Sequence, residues 1–120
     1  MKTLGELSTN AEVIQYVEDF LLAQACKSES RHNGYSYISY DDSDNANIRK
    51  CAIGCLIKYE YYNPDFEGQT VTSLDVMNAV EKSLPNWEID MDLLQQLQSI
   101  HDSFSEDLWE WKFSRLRGQY

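Results

Sequence analysis

Ile48-Arg49-Lys50-Cys51-Ala52-Ile53-Gly54-Cys55-Leu56-Ile57-Lys58-Tyr59-Glu60-Tyr61-Tyr62 is the stretch on which the fold turns. It sets two cysteines four residues apart and a glycine inside an unbroken apolar run. Neither residue type is ordinary surface, so the segment is either the middle of the core or the site. From Cys51 the pattern predicts a helix to about Tyr61, apolar on every side over two turns and therefore buried. Gly54 costs a helix interior about 1 kcal/mol relative to Ala. Close approach of another backbone is the expected return.

The flanking sequence frames that segment. Upstream, Tyr35-Ser36-Tyr37-Ile38-Ser39-Tyr40 alternates strand formers with small polar residues, after the turn signal His32-Asn33-Gly34. A polar loop over 41–47 and a short return strand at 48–50 would complete a hairpin, which needs a helix against it. Before it, Ser8, Thr9 and Asn10 offer N-cap oxygens to a helix over about 10–26. Val13, Ile14, Val17, Phe20, Leu21 and Gln24 lie on one face, with Glu12, Glu18 and Asp19 on the other.

Downstream, Asn63-Pro64-Asp65 breaks the buried helix. A third begins at Thr72 or Ser73, with Leu74, Met77, Val80 and Leu84 inward, and stops at Pro85. Asp90 or Asp92 begins a fourth, carrying Leu93, Leu94, Leu97, Ile100 and Phe104. Ser105 caps a fifth, with Leu108, Trp109, Phe113 and Leu116 as its stripe, and Gly118 ends it. Glu106 and Asp107 suit its positive end, Arg115 and Arg117 its negative end. The expected fold is mainly α (α+β), one domain over residues 1–120, with about five helices and one short β-hairpin before a central buried helix.

The chain has 120 residues, enough for one modest core. Twenty acids oppose ten bases, a net charge of −10, and the excess is concentrated: residues 59–111 hold twelve acids and one base, Lys82. Such a surface repels nucleic acid, which needs cations to displace phosphate counterions, and repels anionic membranes. It attracts a basic partner and speeds that encounter. Three cysteines (Cys26, Cys51, Cys55) are an odd count. No apolar leader follows Met1-Lys2-Thr3-Leu4, and no run approaches the ~20 residues of a membrane span. A cytoplasmic chain with reduced thiols is expected.

Lys50-Cys51-Ala52-Ile53-Gly54-Cys55-Leu56-Ile57 resembles the signature of a family of small uncharacterised phage, plasmid and bacterial proteins. Glu67-Gly68, Val71, Leu74, the segment Leu97-Gln98-Ser99-Ile100-His101-Asp102 and Trp109 extend the resemblance over roughly 35–113. Lys58-Tyr59-Glu60-Tyr61 stands where the family carries a proline followed by acids and a tyrosine. The resemblance implies a phage or mobile-element origin, and small acidic proteins of such origin often disable host machinery.

The leading expectation is therefore a non-enzymatic interaction protein, without cofactor, acting in the host cytoplasm. Its acidic face would occupy a basic, nucleic-acid-binding surface of a host defence protein, as an anti-CRISPR or anti-restriction DNA mimic does. Glu60, Asp65, Glu67, Glu88, Asp90, Asp92, Asp102 and Glu106 are candidate contacts, with Tyr59, Tyr61 and Tyr62 at the desolvated centre. A second reading makes Tyr35, Tyr37, Tyr40, Arg49 and Lys50 a cradle for a nucleotide signal.

A third reading takes Cys51 at a helix start as a nucleophile with His101 as base. Adjacent residues on a helix point about 100° apart, so Asp102 is not expected to orient His101. Zinc held by Cys51, Cys55, His101 and Cys26 lacks the usual knuckle spacing. The acidic loop with Asp41, Asp42 and Asp44 lacks the glycine and glutamate of a calcium loop.

Overall fold

The computed structural model describes residues 2–24, 29–30, 34–35, 37–41 and 44–120, with side chains described at 2–24, 37–38 and 49–120. Within these, four α-helices carry the architecture: α1 Asn10–Gln24, α2 Leu74–Ser83, α3 Met91–Ser103 and α4 Trp109–Arg117. Four short strands precede the central segment: β1 Glu29–Ser30, β2 Gly34–Tyr35, β3 Ile38–Asp41 and β4 Asp44–Lys50. The molecule is mainly helical. No described helix is long and apolar enough to cross a membrane.

The caps explain the helix starts. Thr9 Oγ1 accepts the Glu12 N–H (3.2 Å), Ser73 Oγ that of Val76 (3.3 Å) and Asp90 Oδ1 that of Leu93 (3.1 Å). Each satisfies an N–H that has no partner within its helix. Ser105, expected to cap the last helix, makes no side-chain cap; a 3-10 turn, Glu106–Leu108, leads into α4 instead. The expected end of the first helix near residue 26, the turn at His32 and Asn33, and Ser36, Asp42 and Cys26 all lie outside the described residues.

The helix expected from Cys51 to Tyr61 is absent, so the α-helices among the described residues number four and not five. In its place stand two 3-10 turns, Gly54–Leu56 and Tyr59–Tyr61, separated by extended Ile57 and Lys58. The reason is tertiary. Cys51 N–H donates to Tyr37 O (3.1 Å), Ile53 N–H to Gln98 Oε1 (3.3 Å) and Lys58 N–H to Ser83 Oγ (2.8 Å). Lys58 N–H, which a helix would pair with Gly54 O, goes to α2 instead, whereas the Cys51 and Ile53 N–H groups, in a first turn with no helical acceptor, are satisfied from outside the segment. It still fills the centre: every residue over 51–57 is buried.

The strands also differ from the expected hairpin of 35–40 with 48–50. The antiparallel pairing joins β3 to a β4 that begins at Asp44, inside the stretch expected as loop. Ile38 faces Lys50, Tyr40 faces Ile48, and a register shift falls between Tyr40 and Asp41. β1 pairs separately with β2. The inner end of β4 is tied to α1 by one side-chain amide: Gln24 Oε1 accepts the Lys50 N–H and Gln24 Nε2 donates to Lys50 O, both at 2.8 Å. Gln24 thus acts as one more rung of the ladder.

The core forms around the central segment. α1 contributes Val13, Ile14, Val17 and Leu21; α3 contributes Leu93, Leu94, Leu97 and Ile100; α4 contributes Trp109, Phe113 and Leu116. On α2 the inward face is rotated from expectation. Val76, Ala79, Val80 and Ser83 are buried, whereas Leu74, at the first helical position, is exposed. Glu18, expected on the solvent face, is buried because α4 packs on α1 and brings Arg117 onto its carboxylate. The radius of gyration, 13.4 Å, is that of a compact chain of this length, about 13.6 Å.

Candidate functional site

Gly54 is where the central segment meets the strands. A Cβ there would lie 2.0 Å from Tyr37 O, so only glycine admits the crossing backbone. Tyr37 is the hub on the other side. Its carbonyl accepts from Cys51, its N–H donates to Glu67 Oε1 (2.9 Å), and its hydroxyl donates to Gln69 O (2.6 Å). Glu67 also accepts the Ile38 N–H (3.2 Å) and the Tyr62 hydroxyl. One carboxylate thereby fixes the start of β3 to the loop that follows the core segment.

Gln98 joins the same assembly from α3. Its amide takes the Ile53 N–H and donates to Asp102 Oδ1 (2.9 Å), which also accepts His101 Nδ1–H at 2.6 Å. The helical-angle argument against an Asp102–His101 pair is therefore overturned: the short aspartate side chain spans the divergence of adjacent Cβ atoms. His101 is fully buried and stacks on Trp109, ring centroids 5.8 Å apart. A cleft of about 440 Å³ runs over this network, lined by Tyr37, Gln69, Val71, Gln98, Asp102 and Ser103.

The thiols beneath are inert by environment. Cys51 is 0% exposed, and its Sγ accepts the Gly54 N–H (3.2 Å). Burial pushes its pKa up to about 12, with the Asp102 carboxylate adding to the rise. Burial pushes the Cys55 thiol well above its ordinary value too, and that thiol donates to Ala52 O (3.1 Å). A thiol nucleophile needs a populated thiolate and access; Cys51 offers neither. The helix whose start was to activate it is also missing. Among the described residues no group of three or more His, Cys, Asp or Glu side chains is placed to hold a metal, so Cys51, Cys55 and His101 do not converge on one.

The candidate contact residues divide by what they already hold. Glu67, Asp90 and Asp102 are engaged inside the molecule: Glu67 on β3, Asp90 as cap of α3 and acceptor of Asn10 Nδ2 (3.1 Å), Asp102 on His101 and Gln98. Glu60, Asp65, Glu88, Asp92 and Glu106 are exposed. Tyr59 is 74% exposed and Tyr61 37%, on either side of Glu60 in a turn that packs on α2, with Lys82 Nζ 5.9 Å from the Tyr61 ring centroid. Tyr62 is half-buried, packed edge-on against Phe66.

The nucleotide cradle is not assembled where expected. The Tyr37 ring is buried and its hydroxyl is engaged, so it has no face to offer a base. Arg49 and Lys50 are half-buried, and the side chains of Tyr35 and Tyr40 lie outside those described.

Two features escaped the sequence reading. Gln98 was visible only as part of a motif, since nothing in its spacing marks an amide aimed at a distant backbone. Exposed Trp111 and Arg115 and half-buried Lys112 form an aromatic and cationic group on α4; the i, i+4 spacing of Trp111 and Arg115 was the available signal. Comparison with protein-family models, with curated proteins and with solved structures finds no match to this chain.

Proposed function

We propose that this chain is a non-enzymatic interaction protein of phage or mobile-element origin, which blocks a basic, nucleic-acid-binding surface of a host defence protein. The observation that carries the reading is the Tyr59-Glu60-Tyr61 turn. It holds two tyrosines and a carboxylate out in water, on a core that seals Cys51 and Cys55 away. Exposed tyrosine flanked by acid is the composition of an interface centre with charge at its rim. Asp65, Glu88, Asp92 and Glu106 extend the charge, and the net −10 of the whole chain steers a cationic partner toward it.

Glu67, Asp90 and Asp102 leave the contact set in this reading, because their oxygens hold the fold. Tyr62 leaves it for the same reason. Carboxylates of the remaining set stand in for phosphates, as in anti-restriction and anti-CRISPR DNA mimics. The site of action is the host cytoplasm, and neither nucleic acid nor membrane is bound directly. The resemblance of the 50–57 and 97–102 segments to small phage and plasmid proteins supports the origin.

Affinity capture from host lysate tests this, with wild type and a Tyr59→Ala/Glu60→Lys variant as parallel baits. The expected result is a basic nucleic-acid-binding protein retained by wild type and lost by the variant. Equal retention by both baits, or retention of acidic proteins only, would remove the turn as the contact.

A further inference from the structure

We propose that the groove between α3 and α4, beside Trp111, is a binding site for a small anion carrying a flat ring, of the chemical class of a nucleoside monophosphate. Trp111 is 53% exposed, whereas Trp87 and Trp109 are buried. Two cations are gathered on rings at this place. Lys112 Nζ lies 4.0 Å from the Phe104 ring centroid and 5.2 Å from that of Trp111, and Arg115 Cζ lies 5.0 Å from Trp111.

In a chain with twice as many acids as bases, cations near the surface have carboxylates to choose from. Lys2 takes Glu12 and Arg117 takes Glu18. Among the described residues Lys112 and Arg115 form no ion pair, so their charge is held by aromatic faces and remains available to an anion. A guanidinium stacked on a ring still presents its N–H edges, which match phosphate or carboxylate oxygens in pairs.

The open groove next to them has a volume of about 280 Å³; Ile100 and Leu116 form its apolar floor, and Gln96, Ser99, Phe104, Lys112, Arg115 and Gln119 complete its lining. That volume is close to the ~300 Å³ lower bound of small-ligand sites. Its amides and hydroxyl supply both donors and acceptors, as the edge of a heterocycle requires. Trp111 does not line the groove but lies against Arg115, which does, so its indole reports occupancy of the groove. A polymer fits poorly: two cations release only about two counterions, against a net charge of −10. The anion is therefore small.

The indole N–H resonances of the full chain test this in a two-dimensional NMR titration. The probes are adenosine monophosphate, adenosine and inorganic phosphate. Trp87 and Trp109 serve as internal controls. The expected result is a saturable shift of the Trp111 signal with adenosine monophosphate. Adenosine alone and phosphate alone should bind about tenfold more weakly. Arg115→Gln should weaken the monophosphate by a similar factor while leaving the Trp87 and Trp109 signals in place, which shows that the variant is folded. The proposal is overturned by no saturation with the monophosphate, by phosphate matching it, by unchanged binding in Arg115→Gln, or by a glutamate-rich peptide moving Trp111 more strongly.

Discussion

A methyl group added at Gly54 would sit 2.0 Å from the Tyr37 carbonyl oxygen, itself the acceptor for Cys51. Neither backbone can retreat without losing core contacts. Gly54→Ala should therefore cost about 3 kcal/mol or more, read as a fall in the urea midpoint. A cost below about 1 kcal/mol would show that the crossing relaxes. That glycine was legible in the sequence, because a glycine in an apolar run has few other reasons to be there. The Asp102–His101 bond was not legible, because the spacing argument tracks Cβ directions and ignores how far a short carboxylate can lean. The sealed thiol makes a second prediction at this scale. With its pKa pushed up to about 12, Cys51 should stay unlabelled by iodoacetamide at neutral pH in the native protein and react only after unfolding. Rapid native labelling of Cys51 would reopen the nucleophile reading. The raised thiol adds stability below its unfolded value and loses it as pH climbs toward 12, so the native state should weaken in strong alkali.

Among the elements, the helices that begin at a polar side-chain cap were legible and the central segment was not. Ser73 and Asp90 cap α2 and α3 as their side-chain chemistry dictates. Asp90→Ala should cost about 1 kcal/mol in thermal or urea unfolding, and no change would mean that the α3 start is held by packing alone. Residues 51–61 misled because periodicity discriminates only when polar residues mark one face. An all-apolar run fits a buried helix and a buried turn equally well. What competes with the helix there is Ser83, an acceptor far away in sequence that takes the Lys58 N–H. The rotated face of α2 has the same origin: Ser83 is drawn inward by Lys58 N–H, while its own hydroxyl donates back to Ala79 O of the same helix. At the start of α1, Glu12 is held at a pKa of about 2 by its bond to Lys2, together with bonds from Ser8. Its contribution is present above the ordinary value of 4.5 and is lost as pH falls toward 2. Wild type and Glu12→Gln should therefore differ in Tm at neutral pH and converge between pH 4.5 and 2. A constant gap across that window would contradict the assignment.

For the molecule as a whole, the sequence announced a charge but not its division of labour. Twelve acids lie within residues 59–111. Three of the candidate contacts among them turned out to be structural, because a carboxylate near an unpaired N–H or an imidazole in the fold is consumed there. No count of charges distinguishes the two fates; only the third dimension does. What stays outside are Glu60, Asp65, Glu88, Asp92 and Glu106, the exposed Tyr59 and Tyr61, and the aromatic and cationic group on α4. The thiol-bearing segment that dominated the sequence is interior.

The most direct measurement is the affinity of the captured host protein for this chain across a salt series. Carboxylates acting in place of phosphates require the dissociation constant to rise steadily as ionic strength screens the contact. An affinity that stays flat from low to high salt would contradict the account.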